Sequence, residues 1–128
     1  GYTYGIYASL MSLPEYGIFL ISAQSGKDVY KSAIQEIKKE IEILRNELIS
    51  EQELKRVKKW MSGSLSKTFD GAFALADVFK SLLSFGISFN YYEEYFETLQ
   101  SIKAEEILNT ARKYLNPKDM SLVVTGAI

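Results

Sequence analysis

The chain has 128 residues, 47% apolar and 13% aromatic, which suits a single domain spanning residues 1–128 with a substantial core. Fifteen basic side chains are balanced by sixteen acidic ones, for a net charge of −1, so the broad positive surface that nucleic-acid binding draws on is missing. There is no Cys and no His. This excludes disulfides and Ser-His or Cys-His nucleophile pairs, and leaves no ligands for a zinc centre of the usual kind. No apolar run approaches the roughly 20 residues that a membrane span requires.

Gly1-Tyr2-Thr3-Tyr4-Gly5-Ile6-Tyr7-Ala8-Ser9-Leu10 reads as a β-strand already under way at the first residue. Tyr2, Tyr4, Ile6, Ala8 and Leu10 fall on one face, and Thr3, Gly5, Tyr7 and Ser9 on the other. Met11 to Glu15, with Pro14, forms a turn, and Tyr16 to Ala23 a second strand; so short a connection predicts an antiparallel hairpin. Gln24-Ser25-Gly26 ends it. From about Lys27 to Leu48 the period becomes helical, with Tyr30, Ile34, Ile37, Ile41, Leu44 and Leu48 on one stripe.

Ser50 and Glu53 have the spacing of a capping box at the start of a second helix. Its stripe runs through Leu54, Val57, Met61, Leu65, Phe69, Phe73, Ala76, Phe79 and Leu83, which predicts one long helix through Gly63 and Gly71, with any kink at Asp70-Gly71 and an end at Gly86. A short aromatic helix follows from about Asn90 to Gln100, capped by Asn90 and Glu93, with Tyr92, Phe96 and Leu99 inward. The next begins near Lys103, with Ile102 and Ile107 at staple spacing and Ile107, Leu108, Ala111, Tyr114 and Leu115 on its face; Asn116-Pro117 stops it. Met120 to Thr125 reads as a closing strand. The expected fold is α+β, in the order β-β-α-α-α-α-β, an antiparallel sheet with helices packed on one face. So small a sheet leaves edges unpaired, and the expectation is that strands preceding Gly1 are missing from it.

Several of these residues carry a family resemblance. Gly1-Tyr2-Thr3-Tyr4 leading into an alternating strand, Tyr16-Gly17-Ile18-Phe19, Ser50-Glu51-Gln52-Glu53-Leu54, Lys103 to Leu115, and Leu122-Val123-Val124-Thr125-Gly126 together resemble the second, non-catalytic domain of pitrilysin-type zinc peptidases. Phe69-Asp70-Gly71-Ala72-Phe73-Ala74-Leu75-Ala76 resembles a bacterial subgroup. The resemblance implies that the first domain of such a protein binds zinc through His-x-x-Glu-His while the second supplies an Arg–Tyr pair and closes over a peptide. Tyr4 matches the family Tyr. The matching Arg belongs seven positions earlier, ahead of Gly1, and no zinc ligand or catalytic Glu has a counterpart here.

The implied function is a domain that forms and closes a peptide-binding chamber, with Tyr4 as an accessory catalytic group. A phenol held near a peptide carbonyl donates a hydrogen bond to the oxygen on which charge develops, or to the substrate backbone. The chain itself would hold no cofactor, with Zn in the parent or a partner chain where that is active. The implied partners are a peptide or unfolded polypeptide, the zinc-binding domain of the same or a partner chain, and a dimer, with no nucleic acid and no membrane span. The alternative is a subunit-interface or scaffold module of an inactive family member. Phe89, Tyr91, Tyr92, Tyr95 and Phe96 read as helix packing, and Lys55, Arg56, Lys58 and Lys59 as the wet face of a helix.

Overall fold

A computed structural model describes residues 1–126. It is an α+β fold of two antiparallel strands followed by five helices. The chain divides into two compact units, one made of Gly1–Asn46 and the residues from Ala111 onward, the other of Glu47–Thr110.

In the first unit, β1 (Thr3–Ser12) and β2 (Gly17–Ser25) pair antiparallel from Ser12↔Gly17 to Thr3↔Ser25. The connection closes through the Leu13 amide, which donates to the Tyr16 carbonyl at 2.8 Å. A turn from Gly26 to Val29 leads into α1 (Tyr30–Asn46), whose Ala33 and Ile41 are buried and whose Ile34, Ile37 and Leu44 are half-buried. The predicted stripe is therefore the inward one, although Leu48 lies beyond the helix and is exposed. The last turn of α1 is held by side chains: Asn46 Nδ2 donates to the Glu42 carbonyl at 2.7 Å, and Arg112 Nε to the Arg45 carbonyl at 2.8 Å. The Arg112 bond satisfies one of the last four carbonyls, which a helix end leaves without intrahelical partners.

The second unit is helical. α2 (Glu51–Thr68) starts at Ser50, whose Oγ accepts from the Glu53 amide at 3.2 Å. One half of the predicted capping box is thus formed, while the Glu53 carboxylate faces Arg56 at 4.0 Å. Gly63 lies within α2. The predicted long helix does not continue: the chain leaves helical geometry at Phe69-Asp70-Gly71, with Gly71 at φ +94°, and α3 (Ala72–Phe85) begins afresh. The break resets the helical phase. Phe73, Ala76, Phe79 and Leu83, expected inward, are exposed, and α3 turns Ala74, Val78 and Leu82 inward instead. α3 ends as predicted at Gly86, in the left-handed region, where Ile87 N donates to the Leu82 carbonyl at 3.0 Å.

α4 (Asn90–Ser101) starts without a side-chain cap, because Asn90 lies inside the helix and Phe89 occupies the cap position. Its inward residues are Tyr92, Tyr95 and Leu99; Phe96, expected there, is exposed. The aromatic run packs within the unit, Phe69 edge-on to Tyr92 at 4.9 Å and Phe79 stacked on Phe89 at 6.1 Å. α5 (Ala104–Tyr114) begins after Lys103 as expected, and the cap is supplied from within the helix: the Lys103 amide donates to Glu106 Oε2 at 2.9 Å.

Beyond α5, Asn116 caps a 3-10 turn over Pro117–Asp119, its Oδ1 accepting from the Lys118 amide at 3.2 Å. The predicted closing strand over Met120 to Thr125 is not formed. A strand exists by pairing, and the one ladder among the described residues joins β1 to β2. Nor does the hairpin show the expected covered face, since most of its residues on both faces are exposed.

Candidate functional site

Tyr4 stands at an irregularity that strict alternation does not foresee. Thr3 pairs with Ser25 and Gly5 with Gln24, so two steps along β1 match one step along β2. Tyr4 is the extra residue of this β-bulge. A bulge leaves one residue unpaired, bends its strand and re-aims the side chain it carries. Tyr4 is 84% exposed, and among the described residues its hydroxyl makes no hydrogen bond. The phenol is therefore free to donate to an outside acceptor.

The next residues complete the local geometry. A Cβ built on Gly5 would lie 3.2 Å from Tyr7 Cε2 and 3.4 Å from the Tyr7 hydroxyl oxygen. The Tyr7 ring thus lies back along β1 against the Gly5 backbone. Beyond the bulge the pairing is regular, Ile6 opposite Ala23, Ala8 opposite Ile21 and Leu10 opposite Phe19. One face of the hairpin is consequently apolar at every position of these pairs, and Ile6, Leu10 and Phe19 on it are exposed. The other face is mixed, with Tyr7 opposite Ser22 and Ser9 opposite Leu20.

The resemblance places zinc in another domain or chain, and the donor set here is of a different kind. The chain has no His and no Cys, and among the described residues no group of three or more Asp or Glu is gathered where a metal could sit. These residues do not fit a zinc ion, and no chemical step is derived through one. Of the basic residues on α2, Lys58 Nζ donates to the Gln100 carbonyl at 2.8 Å and so holds α4 in place, while Arg56 is an exposed partner of Glu53. Neither forms a site.

The second unit also contains a cleft of about 290 Å³ between α2, α4 and the start of α5, lined by Val57, Met61, Tyr95, Leu99, Ile102 and Ile107 among others. Ile102 and Ile107 are the staple pair expected from the sequence. Lys58 and Thr98 join Tyr95 in lining the cleft, but the surface presented to it is apolar, which makes it a packing feature rather than a reactive one. Among the described residues no single helix is long and apolar enough to cross a membrane.

Sequence reasoning named Tyr4 but missed the bulge that carries it. The signal was present in Gly5: a lone glycine inside a strand pattern marks a bulge or a close backbone approach, and here it marks both.

Residues 1–61 match the family model described as the peptidase M16 inactive domain. Over 124 residues the chain is 29% identical to a protein of Rickettsia felis named "Uncharacterized zinc protease", an alignment that takes in 96% of this chain and 29% of that protein. The chain therefore spans less than a third of the length of this relative. No solved structure matches.

Proposed function

We propose that this chain, whose residues 1–61 match the peptidase M16 inactive-domain model, is the non-catalytic domain of a zinc peptidase of that family, forming and closing the chamber that holds a peptide. In this reading Tyr4 is an accessory group. Its phenol donates a hydrogen bond to a substrate carbonyl oxygen as negative charge develops there, or to the substrate backbone. Zinc and its ligands belong to another domain, of the same chain or a partner, and cleavage depends on the two domains meeting around an extended or unfolded polypeptide. The observation that carries this reading is the exposed, uncommitted phenol of Tyr4, lifted from the ladder by a bulge within the region of the family match.

The test is Tyr4→Phe in the full-length protein, assayed by cleavage of an unfolded peptide. A hydrogen bond to a developing charge contributes about 1.5–3 kcal/mol, so kcat/KM is expected to fall about 10- to 100-fold, with the circular dichroism spectrum unchanged. Unaltered cleavage by that variant overturns the assignment of Tyr4.

A second reading is favoured by the exposed apolar face of Ile6, Leu10 and Phe19: the hairpin as an interface to another subunit in an inactive family member. It predicts that Tyr4→Phe is silent, while Leu10→Lys shifts the sedimentation coefficient of the assembled protein.

A further inference from the structure

We propose that Gly5 and Tyr7 form a positioning pair for Tyr4, with the Tyr7 ring lying beside the bare backbone of Gly5 and restricting the conformations open to it at the bulge. For its effect on turnover this rests on the reading of Tyr4 given above. A bulge forfeits ladder pairing at the extra residue, so the backbone there must be held by other contacts. Glycine does not do so unaided, since it is the most conformationally free residue and weakens a strand interior.

The ring of Tyr7 supplies what Gly5 lacks. Residues two apart share a strand face, and Tyr7 leans back until its Cε2, Cζ and hydroxyl oxygen would lie 3.2, 3.6 and 3.4 Å from a Cβ at position 5. A Cβ there would push the tip of this ring, 75% exposed, aside by a few tenths of an ångström. Across the ladder, Tyr7 faces Ser22 and Gly5 faces Gln24, so no large apolar partner competes for the ring. An aromatic beside a glycine of its own strand limits the conformations open to that glycine, otherwise the most conformationally free residue. The residue so fixed is the one directly after Tyr4, and the direction of the Tyr4 side chain is fixed with it. Tyr7 acts through Tyr4 and need not touch substrate.

The test uses the full-length protein with Tyr7→Ala, Tyr7→Phe and Gly5→Val, each also in a Tyr4→Phe background. Amide hydrogen exchange over residues 3–6 reads the bulge directly, and peptide cleavage reads its consequence. Loss of one aromatic packing contact corresponds to about a two- to fivefold effect. Tyr7→Ala and Gly5→Val are expected to accelerate exchange and lower kcat/KM by that factor. Tyr7→Phe keeps the ring and should match the parent in both. In the Tyr4→Phe background neither variant should lower cleavage further. Unchanged exchange in both Tyr7→Ala and Gly5→Val overturns the proposal. So does a Tyr7→Phe loss as large as that of Tyr7→Ala, which would place the hydroxyl rather than the ring at work. Losses that simply add to that of Tyr4→Phe overturn it as well. If Tyr4→Phe alone leaves cleavage unchanged, the reading of Tyr4 fails, and the exchange data still decide whether the pair holds the bulge.

Discussion

Two glycines of the helical unit should respond in opposite directions to the same substitution. Gly63 lies in the interior of α2, and Gly86 just past the end of α3 at φ 66°, ψ 27°. At both positions an added Cβ meets nothing within 4 Å. Packing therefore drops out, and backbone conformation alone decides the sign. Alanine in a helix interior is about 0.8–1 kcal/mol more favourable than glycine, so Gly63→Ala should stabilise by roughly that amount. At Gly86 the left-handed conformation costs an L-residue about 1–2 kcal/mol, partly offset by a less disordered unfolded chain, worth about 0.4–1 kcal/mol. Gly86→Ala should destabilise by about 1 kcal/mol. Gly86 N and Ile87 N also donate to the carbonyls of Leu83 and Leu82 at 3.1 and 3.0 Å, so relaxing the strain by moving the backbone would break two capping bonds. The two variants should differ by about 2 kcal/mol, which for a urea slope of about 2 kcal/mol/M separates their midpoints by about 1 M. Urea unfolding followed by circular dichroism measures this. Shifts of the same sign in both variants, or a Gly86→Ala variant as stable as the parent, would refute the reasoning.

Other substitutions test the same unit. Ser50→Ala removes the hydroxyl that accepts from the Glu53 amide at 3.2 Å and should cost about 1 kcal/mol, visible as a lower unfolding midpoint that Ser50→Asp restores. Leu99, 7% exposed, is the buried residue of α4; Leu99→Ala should cost about 2–4 kcal/mol, the largest loss among single helix substitutions here, by thermal or urea unfolding.

What the sequence made legible follows from what periodicity encodes. The stripe of Ile34, Ile37, Ile41 and Leu44 depends only on local helical spacing, and α1 turns it inward. The hairpin followed from two alternating runs and a short turn, and Gly86 and Ser50 from cap chemistry confined to a few residues. The stripe from Phe73 to Leu83 misled because a period says nothing of phase once the chain breaks: one glycine at positive φ, Gly71, resets it, and Val78 and Leu82 replace Phe79 and Leu83 inside. The closing strand failed for a related reason. Leu122-Val123-Val124 has strand composition, but a strand is defined by its partner, and composition does not supply one. Tyr4 was found by resemblance; its bulge was not, because a bulge is a property of two strands in register.

The distribution of burial sets a last expectation, for the local stability of the hairpin that carries Tyr4. Opening free energies are lowest where few apolar groups are buried and backbone hydrogen bonds face water. In α3, Val78 and Leu82 are buried at 5% and 4% exposure. Among the described residues of β1 and β2 none is buried, and the apolar pairs Ile6–Ala23 and Leu10–Phe19 contact each other on an open face. A two-stranded hairpin held chiefly by its own ladder is marginal in water. In this chain, then, the amides of β1 and β2 should exchange faster than those of residues 78–85, by a factor that grows with the burial the hairpin lacks. Burying one face of the hairpin costs no rearrangement of its pairing and would slow that exchange, which ties the order of the Tyr4 bulge to whatever covers the sheet. Native-state hydrogen exchange resolved by residue measures the contrast. Ladder amides as protected as those of α3 would mean that the hairpin draws stability from a source other than burial, and that the orientation of Tyr4 does not depend on a covering surface.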